Sequence, residues 1–304
     1  MAQTQDEIKS EHGTLAAIQK WNGYSMAQTN NHTFAEIAEI DATGQTREIY
    51  DDFKSSIGLP TINLIYRHMA TTPGCLEWAW ALLRPNFVSG TFAREAEHIV
   101  AGLEPVKSWL ITRNELLDAG VDEAVQTIII QTLEAYNLAN PMNLIALMVL
   151  QCEIEGRAPV YSDAPLETSS MPSRLANDLP PMADLGALPK QTLNILRTLA
   201  TQAGVGGTPV IPSFFRHLTE WPGYLEIVAS AVARLVDDGS LDREASALQE
   251  EAYKAACRIP RHSSIVPPPS ASQRYNLLGL IDLFPTLIAR MIVIGIQLRR
   301  SLPT

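Results

Sequence analysis

Apolar residues return every three or four positions along most of this chain, and no stretch keeps the two-residue alternation of a half-buried strand. Val121, Ala124, Ile128, Leu133 and Tyr136 are one such stripe. The pattern predicts helices over 44–57, 61–72, 89–103, 120–137 and 141–153, and again over 190–203, 210–220, 223–237, 241–258 and 271–300. An all-α fold follows. Residues 1–35 carry little periodicity and read as a loosely structured N-terminal segment. Residues 155–189, rich in Pro and Ser, cannot hold a long helix and read as a linker between one helical unit at 36–154 and another at 190–304. A second Pro/Ser loop, HSSIVPPPSAS, lies inside the later unit.

The two units resemble each other. GLPTINLIYRHMATTPGCLE, from Gly58, aligns without gaps to GTPVIPSFFRHLTEWPGYLE, from Gly207, at a constant spacing of 149 residues. Gly58, Pro60, Ile62, Arg67, His68, Pro73, Gly74, Leu76 and Glu77 recur as Gly207, Pro209, Ile211, Arg216, His217, Pro222, Gly223, Leu225 and Glu226. The same spacing pairs SGTFAREA (89–96) with DGSLDREA (238–245). The reading is an internal repeat. In each copy Gly-x-Pro suits a turn feeding a helix, and Pro-Gly ends that helix and starts the next. Two such units would pack as a pseudo-dimer, with a shared pocket near the axis between them.

Composition narrows the function. The chain has 304 residues, 46% of them hydrophobic, which is globular rather than disordered. Its formal net charge of −10, with no basic stripe, argues against nucleic acid as a partner. The start, MAQTQDEIKSEHG, is polar and acidic where a secretory signal would be basic and then apolar. The apolar run from Tyr275 to Leu298 is broken by Asp282, Pro285 and Arg290, which predicts a buried helix pair rather than a membrane span. Cys75, Cys152 and Cys257 lie far apart with no CxxC spacing and read as reduced thiols packed as small apolar residues. A cytoplasmic protein that exists as a monomer or homodimer is expected.

Candidate chemistry begins with the Arg-His pair of each unit. Helical spacing places Leu64, Ile65 and His68 on one face, and Ser213, Phe214 and His217 on the matching one. If these faces meet across the axis, two histidines enter the pocket as general base, anion-binding pair or half of a metal site. Alternatively each histidine braces its own unit. Thr91 and Glu95, repeated as Ser240 and Glu244, put a hydroxyl one turn from a carboxylate, an arrangement also found at capped helix starts. Glu95-Ala96-Glu97-His98 spells a metal half-motif, but Ala247 stands where a second His98 would recur. No metal or cofactor is expected. There is no GxSxG elbow and no HExxH, and the glycines at 204, 206 and 207 lack the strand and lysine of a phosphate loop.

Several stretches resemble the group I 2-haloacid dehalogenases, the family that includes the non-stereospecific DL-2-haloacid enzymes. YDDFKSSIGLP (50–60), TTPGCLEWAW (71–80), Tyr136-Asn137-Leu138-Ala139-Asn140-Pro141, the Pro/Ser linker and EWPGYLEIV (220–228) follow in the family's order. The resemblance implies two helical repeats with the active site between them. It also implies that an aspartate activates water for direct displacement of the halogen, with inversion, while an asparagine helps hold that water. Carried over, the asparagine falls on Asn140, a threonine–glutamate pair on Thr91 and Glu95, and a pocket serine on Ser213. The family's aspartate position is occupied by Phe214 and its pocket tryptophan position by Thr61. The expectation is therefore a small-molecule, hydrolytic enzyme with a rebuilt pocket. In it His217 serves as base and Asn140 positions water or substrate. Thr61, Leu64, His68, Thr91, Glu95, Ser213 and Phe214 bind a substrate that is anionic or partly apolar. Two other readings stand beside it: a non-catalytic binding protein of the same fold, and a metal-dependent enzyme using the paired histidines.

Overall fold

The structure is a computed structural model and describes residues 35–104, 109–159, 179–204, 211–262 and 265–303. The expectation for the N-terminal segment thus falls almost wholly outside the described residues, as does that for most of the linker. In chain order the helices are α1 (Gly44–Ile57), α2 (Leu64–Met69), α3 (Cys75–Val88), α4 (Thr91–Ala101), α5 (Arg113–Asp118), α6 (Glu123–Ile154), α7 (Lys190–Ala203), α8 (Ser213–His217), α9 (Pro222–Asp237), α10 (Ser240–Arg258) and α11 (Ala271–Ser301). Short 3₁₀ turns sit at Leu185–Ala187 and Leu218–Glu220, and no strand occurs among the described residues.

Local sequence explains where these helices stop and start. α1 buries Ile49, Tyr50, Phe53 and Ile57, one helical stripe, and ends at Gly58, whose φ of 77° lets its N–H reach the Lys54 carbonyl. The chain is then steered into α2 by the Glu39 carboxylate, which accepts from Thr61 Oγ1 (3.0 Å) and Ile62 N (2.8 Å). Thr112 and Glu115 form a reciprocal capping box on α5, and Asp122 caps α6. α2 and α8 are shorter than the spans that periodicity predicts, and α3 and α5 arise where no stripe marks a span. In α3 the residues from Cys75 to Leu83 are buried almost all round, so no polar face exists to give a period.

Two corrections concern prolines. The spans 120–137 and 141–153 are one helix, α6, running through Pro141, and the expected C-terminal helix pair is one helix, α11, running through Pro285. A proline withholds its N–H from the carbonyl four residues back, here Asn137 and Ile281, at a cost of roughly 3 kcal/mol. Burial outweighs that cost. Every residue from Ala139 to Leu150 is buried, and at about 1.5 to 3 kcal/mol per large apolar side chain a few of them suffice. α6 and α11 pack most extensively on each other, with α10 and α4 against them. Where they cross, Gly295 lies against Asn137, whose Nδ2 donates to the Gly295 carbonyl at 3.1 Å. α11 is long and apolar enough to cross a membrane by length and composition, and 67% of its most apolar stretch is buried against the rest of the protein.

The spacing of 149 residues reappears in the element starts: Leu64 and Ser213 open α2 and α8, and Thr91 and Ser240 open α4 and α10. Gly90 and Gly239, the residues before α4 and α10, share a left-handed backbone with φ of 73° and 70°. The long helices α6 and α11 close the two series. α5 breaks the correspondence, since the equivalent stretch of the second half is the Pro-rich loop before α11.

Candidate active site

The first turns of α2 and α8 meet the middle of α6 and one stripe of α11 around a cavity of about 60 Å³. Thr61 to Ile65 form one wall and Pro212, Ser213 and Phe214 the wall opposite in the sequence repeat. Tyr136 and Asn140 enter from α6, one turn apart. Phe284, Leu287, Ile288 and Met291 enter from α11 at the spacing of one helical face. The volume suits a few waters or a ligand of a handful of heavy atoms. The wall is mostly apolar, and among the described residues that line it there is no carboxylate, lysine, arginine or histidine.

Its polar groups are specific. Thr61 gives its hydroxyl proton to Glu39, so it can offer the cavity only lone pairs. Asn63 Oδ1 and the Tyr136 hydroxyl are buried with no hydrogen-bond partner among the described residues. Burial pushes the Tyr136 phenol well above its ordinary pKa, although Arg67 and Arg216 pull the other way. Asn63 and Pro212 stand at helix starts, where the backbone N–H groups of the first turn have no intrahelical acceptor and a negative charge is favoured.

Tyr136 also connects the cavity to His217. Its ring packs edge-on to Phe214, with centroids 5.3 Å apart, and lies 5.7 Å from the imidazole of His217. His217 Nδ1 is 2.6 Å from the Pro180 carbonyl oxygen, which can only accept, so Nδ1 carries the proton. Nε2 is then the lone-pair nitrogen, and it is buried with no partner among the described residues. Burial lowers the His217 pKa, with the Pro180 carbonyl opposing and the Arg216 and Arg67 charges adding to the shift.

The structure gathers Thr61, Leu64, Asn140, Ser213 and Phe214 on the cavity wall and leaves His68, Thr91, Glu95 and His217 off it. His68 Nδ1 is 2.5 Å from the Ala35 carbonyl oxygen, so both imidazoles are held by backbone just upstream of their own half. Their arginines reach the same upstream segments, one through a side chain and the other through backbone. Arg67 pairs with Glu36 at 2.6 Å, and Arg216 donates twice to the Ala183 carbonyl, at 3.1 and 2.7 Å. Thr91 does not cap its helix. Gly90 occupies that position, and the Thr91 hydroxyl bonds Ser89 at 2.9 Å, as Ser240 bonds Asp238. Glu95 reaches across to Arg258 at 3.2 Å, joining α4 to α10. Among the described residues no three His, Cys, Asp or Glu side chains gather as metal ligands, so the histidines are not assembled with Glu95 or Glu244.

Sequence reasoning missed the α11 wall, Asn63 and the place of Tyr136. The stripe 284, 287, 288, 291 was a usable signal, but the whole run is apolar and its facing partner was not readable. Tyr136 read as one more stripe residue.

No protein-family model matches the sequence. Two characterised relatives are similar. A configuration-inverting 2-haloacid dehalogenase of Alcaligenes xylosoxydans xylosoxydans is 23% identical over 67% of this chain and 70% of its own length. An (R)-2-haloacid dehalogenase of Pseudomonas putida is also 23% identical, over 84% of this chain and 89% of its own. Two solved structures, a D-2-haloacid dehalogenase mutant with D-2-CPA and D-2-haloacid dehalogenase with L-LA, superpose with a TM-score of 0.76 at 18% identity over 90% of this chain. They are matched over 97% and 98% of their own lengths. The relatives and structural neighbours are thus 2-haloacid dehalogenases, and the chain shares their all-helical fold.

Proposed function

We propose that this protein is a small-molecule hydrolase of the 2-haloacid dehalogenase kind, acting in the cavity between α2, α6, α8 and α11 with a rebuilt set of catalytic groups. One observation carries the reading: Tyr136, with an unpartnered hydroxyl, lies on the cavity wall, and its ring is 5.7 Å from that of His217, whose Nε2 is also unpartnered among the described residues. Phe214 stands where the family resemblance places the water-activating aspartate. In its stead His217 Nε2 takes the proton of the attacking water through the Tyr136 hydroxyl and a second water bridging the two groups, neither of which bonds a described residue. The water oxygen bonds to the halogen-bearing carbon, the carbon–halogen bond breaks, and its electron pair leaves with the halide. Asn140 and Ser213 orient water and substrate. The small, largely apolar chamber limits the acid to a few carbons. In this reading the two halves descend from one repeated unit, and a single chain supplies both walls.

A second reading is favoured by the wall itself, which holds no carboxylate or imidazole among the described residues. It is a binding protein that keeps the chamber for small acids without turning them over. Halide release from each enantiomer of 2-chloropropionate, together with direct binding of the same compounds, separates the two. Turnover that Tyr136→Phe lowers by about 100-fold or more supports the hydrolase. Binding without halide release at millimolar substrate sinks it and leaves the binder. Neither binding nor release sinks both.

A further inference from the structure

One carboxylate stands directly behind the chamber wall. Glu39 belongs to the turn before α1, and its Oε1 accepts from Thr61 Oγ1 at 3.0 Å and from Ile62 N at 2.8 Å. Its Oε2 lies 3.2 Å from Lys54 Nζ, an ion pair with α1. The turn is held independently of this carboxylate. Arg47 Nη1 donates to the Glu39 backbone carbonyl at 2.9 Å, and Ile37 N donates to the Arg67 carbonyl at 3.0 Å. The Ile62 bond braces the entry to α2. The Thr61 bond does something else, because Thr61 lines the chamber. A hydroxyl has one proton and a carboxylate can only accept, so Thr61 presents lone pairs alone to the chamber. The family resemblance places a tryptophan at this position, and an indole N–H can only donate. Neither member of the pair recurs in the repeat, since Leu188 and Val210 stand 149 positions on. The pair is not part of the motif that the two halves share.

We propose that Glu39 is a positioning residue that locks the Thr61 hydroxyl as an acceptor, so that Thr61 orients the attacking water. The proposal rests on the hydrolase reading above. A water has two protons and two lone pairs. In that reading one proton leaves toward Tyr136. Thr61 Oγ1 holds the other, which frees the lone pairs for Asn140 and for the carbon under attack. The chamber of about 60 Å³ admits few waters, so one bonded to Thr61 stays close to the remaining walls. Without Glu39 the hydroxyl would turn freely and could donate to the water, occupying a lone pair that the attack requires. Lys54 offsets the Glu39 charge, so the effect is one of hydrogen-bond direction rather than net charge.

The test measures halide release by the full chain from whichever enantiomer of 2-chloropropionate it turns over. Wild type is compared with Thr61→Val, Thr61→Ser, Glu39→Ala and the double variant Glu39→Ala/Thr61→Val, each shown by urea melt to be folded. Thr61→Val keeps the shape of the side chain and removes its lone pairs. It should lower kcat about tenfold with KM changed less than about twofold, and Thr61→Ser should restore most of the loss. Glu39→Ala should lower kcat several-fold alone and have no further effect on top of Thr61→Val, because its action passes through that hydroxyl. A brace would not give this pattern. Equal losses from Glu39→Ala in both backgrounds, or a Thr61→Val effect confined to KM, would overturn the proposal and leave the hydrolase reading standing. No halide release by the wild type would overturn both.

Discussion

The Arg-His turn occurs twice in this protein, and the two copies share everything local and little else. Arg67-His68 and Arg216-His217 end helices that begin 149 residues apart, and each imidazole gives its Nδ1 proton to a backbone carbonyl upstream. Their surroundings diverge. His68 sits near the surface beside Glu36, whereas His217 is 3% exposed and lies against Tyr136, which opens on the cavity. The residue 149 positions after Tyr136 is Pro285, so no hydroxyl stands at the corresponding position of the second long helix. In the proposed reading the repeated motif is a brace in both halves and an active group in one, because bracing is local and catalysis needs a neighbour from another element.

The largest effect expected from breaking this comparison is on turnover. His217→Gln should lower kcat by about 10² to 10⁴, the usual worth of a general base, while His68→Gln should change it less than about threefold. Both should cost about 1 kcal/mol of stability, since each loses one bracing hydrogen bond. Steady-state halide release and urea melts on the two variants measure these separately. Equal kinetic losses would reduce His217 to a brace.

A smaller effect sharpens the same comparison at Gly74 and Gly223, which also recur. Gly74 has φ of 83° with open space where a side chain would go. Gly223 has no such φ, but a Cβ there would stand 2.5 Å from the Ala119 carbonyl oxygen and 2.9 Å from the Ala119 Cα. Gly74→Ala should cost about 1 kcal/mol, through backbone strain. Gly223→Ala should cost about 2 to 3 kcal/mol, because backbone on both sides must shift. Chemical denaturation checks the order.

The smallest effect is on acid stability. Burial lowers the pKa of both histidines, opposed at His68 by the Ala35 carbonyl and Glu36, and reinforced at His217 by Arg216 and Arg67. A group whose folded pKa lies below its unfolded value, about 6.5 for histidine, binds fewer protons folded than unfolded. Its stabilising contribution is present above the unfolded pKa and is lost as pH falls through the folded one. Between about pH 7 and about pH 5 stability should drop, and His217→Gln should flatten that drop more than His68→Gln does. Unfolding free energies across the range decide it.

Much of the fold could be read along the chain. The helical period, the punctuation by Gly58, Pro73-Gly74 and Gly90, and the pairing of 58–77 with 207–226 all concern residues close in sequence or identical in copy. The helix–strand choice and most helix boundaries depend on the same short-range features. Thr61, Asn140, Ser213 and Phe214 could be picked out through family resemblance, and the cavity wall includes all four. Thr91 and Glu95 could be picked out in the same way, but their partners, Ser89 and Arg258, direct them elsewhere.

The sequence by itself determined an all-helical chain with its turns, its stripes and two copies of one motif, because backbone propensity and hydrophobic period are set within a few residues. Only the tertiary structure decided that α6 and α11 run unbroken through Pro141 and Pro285, since burial along a whole helix outweighs one missing hydrogen bond. It alone brought the ring of Tyr136 to that of His217 and Arg258 to Glu95. Those meetings depend on how helices distant in sequence pack, and no local pattern encodes which side chain will face which.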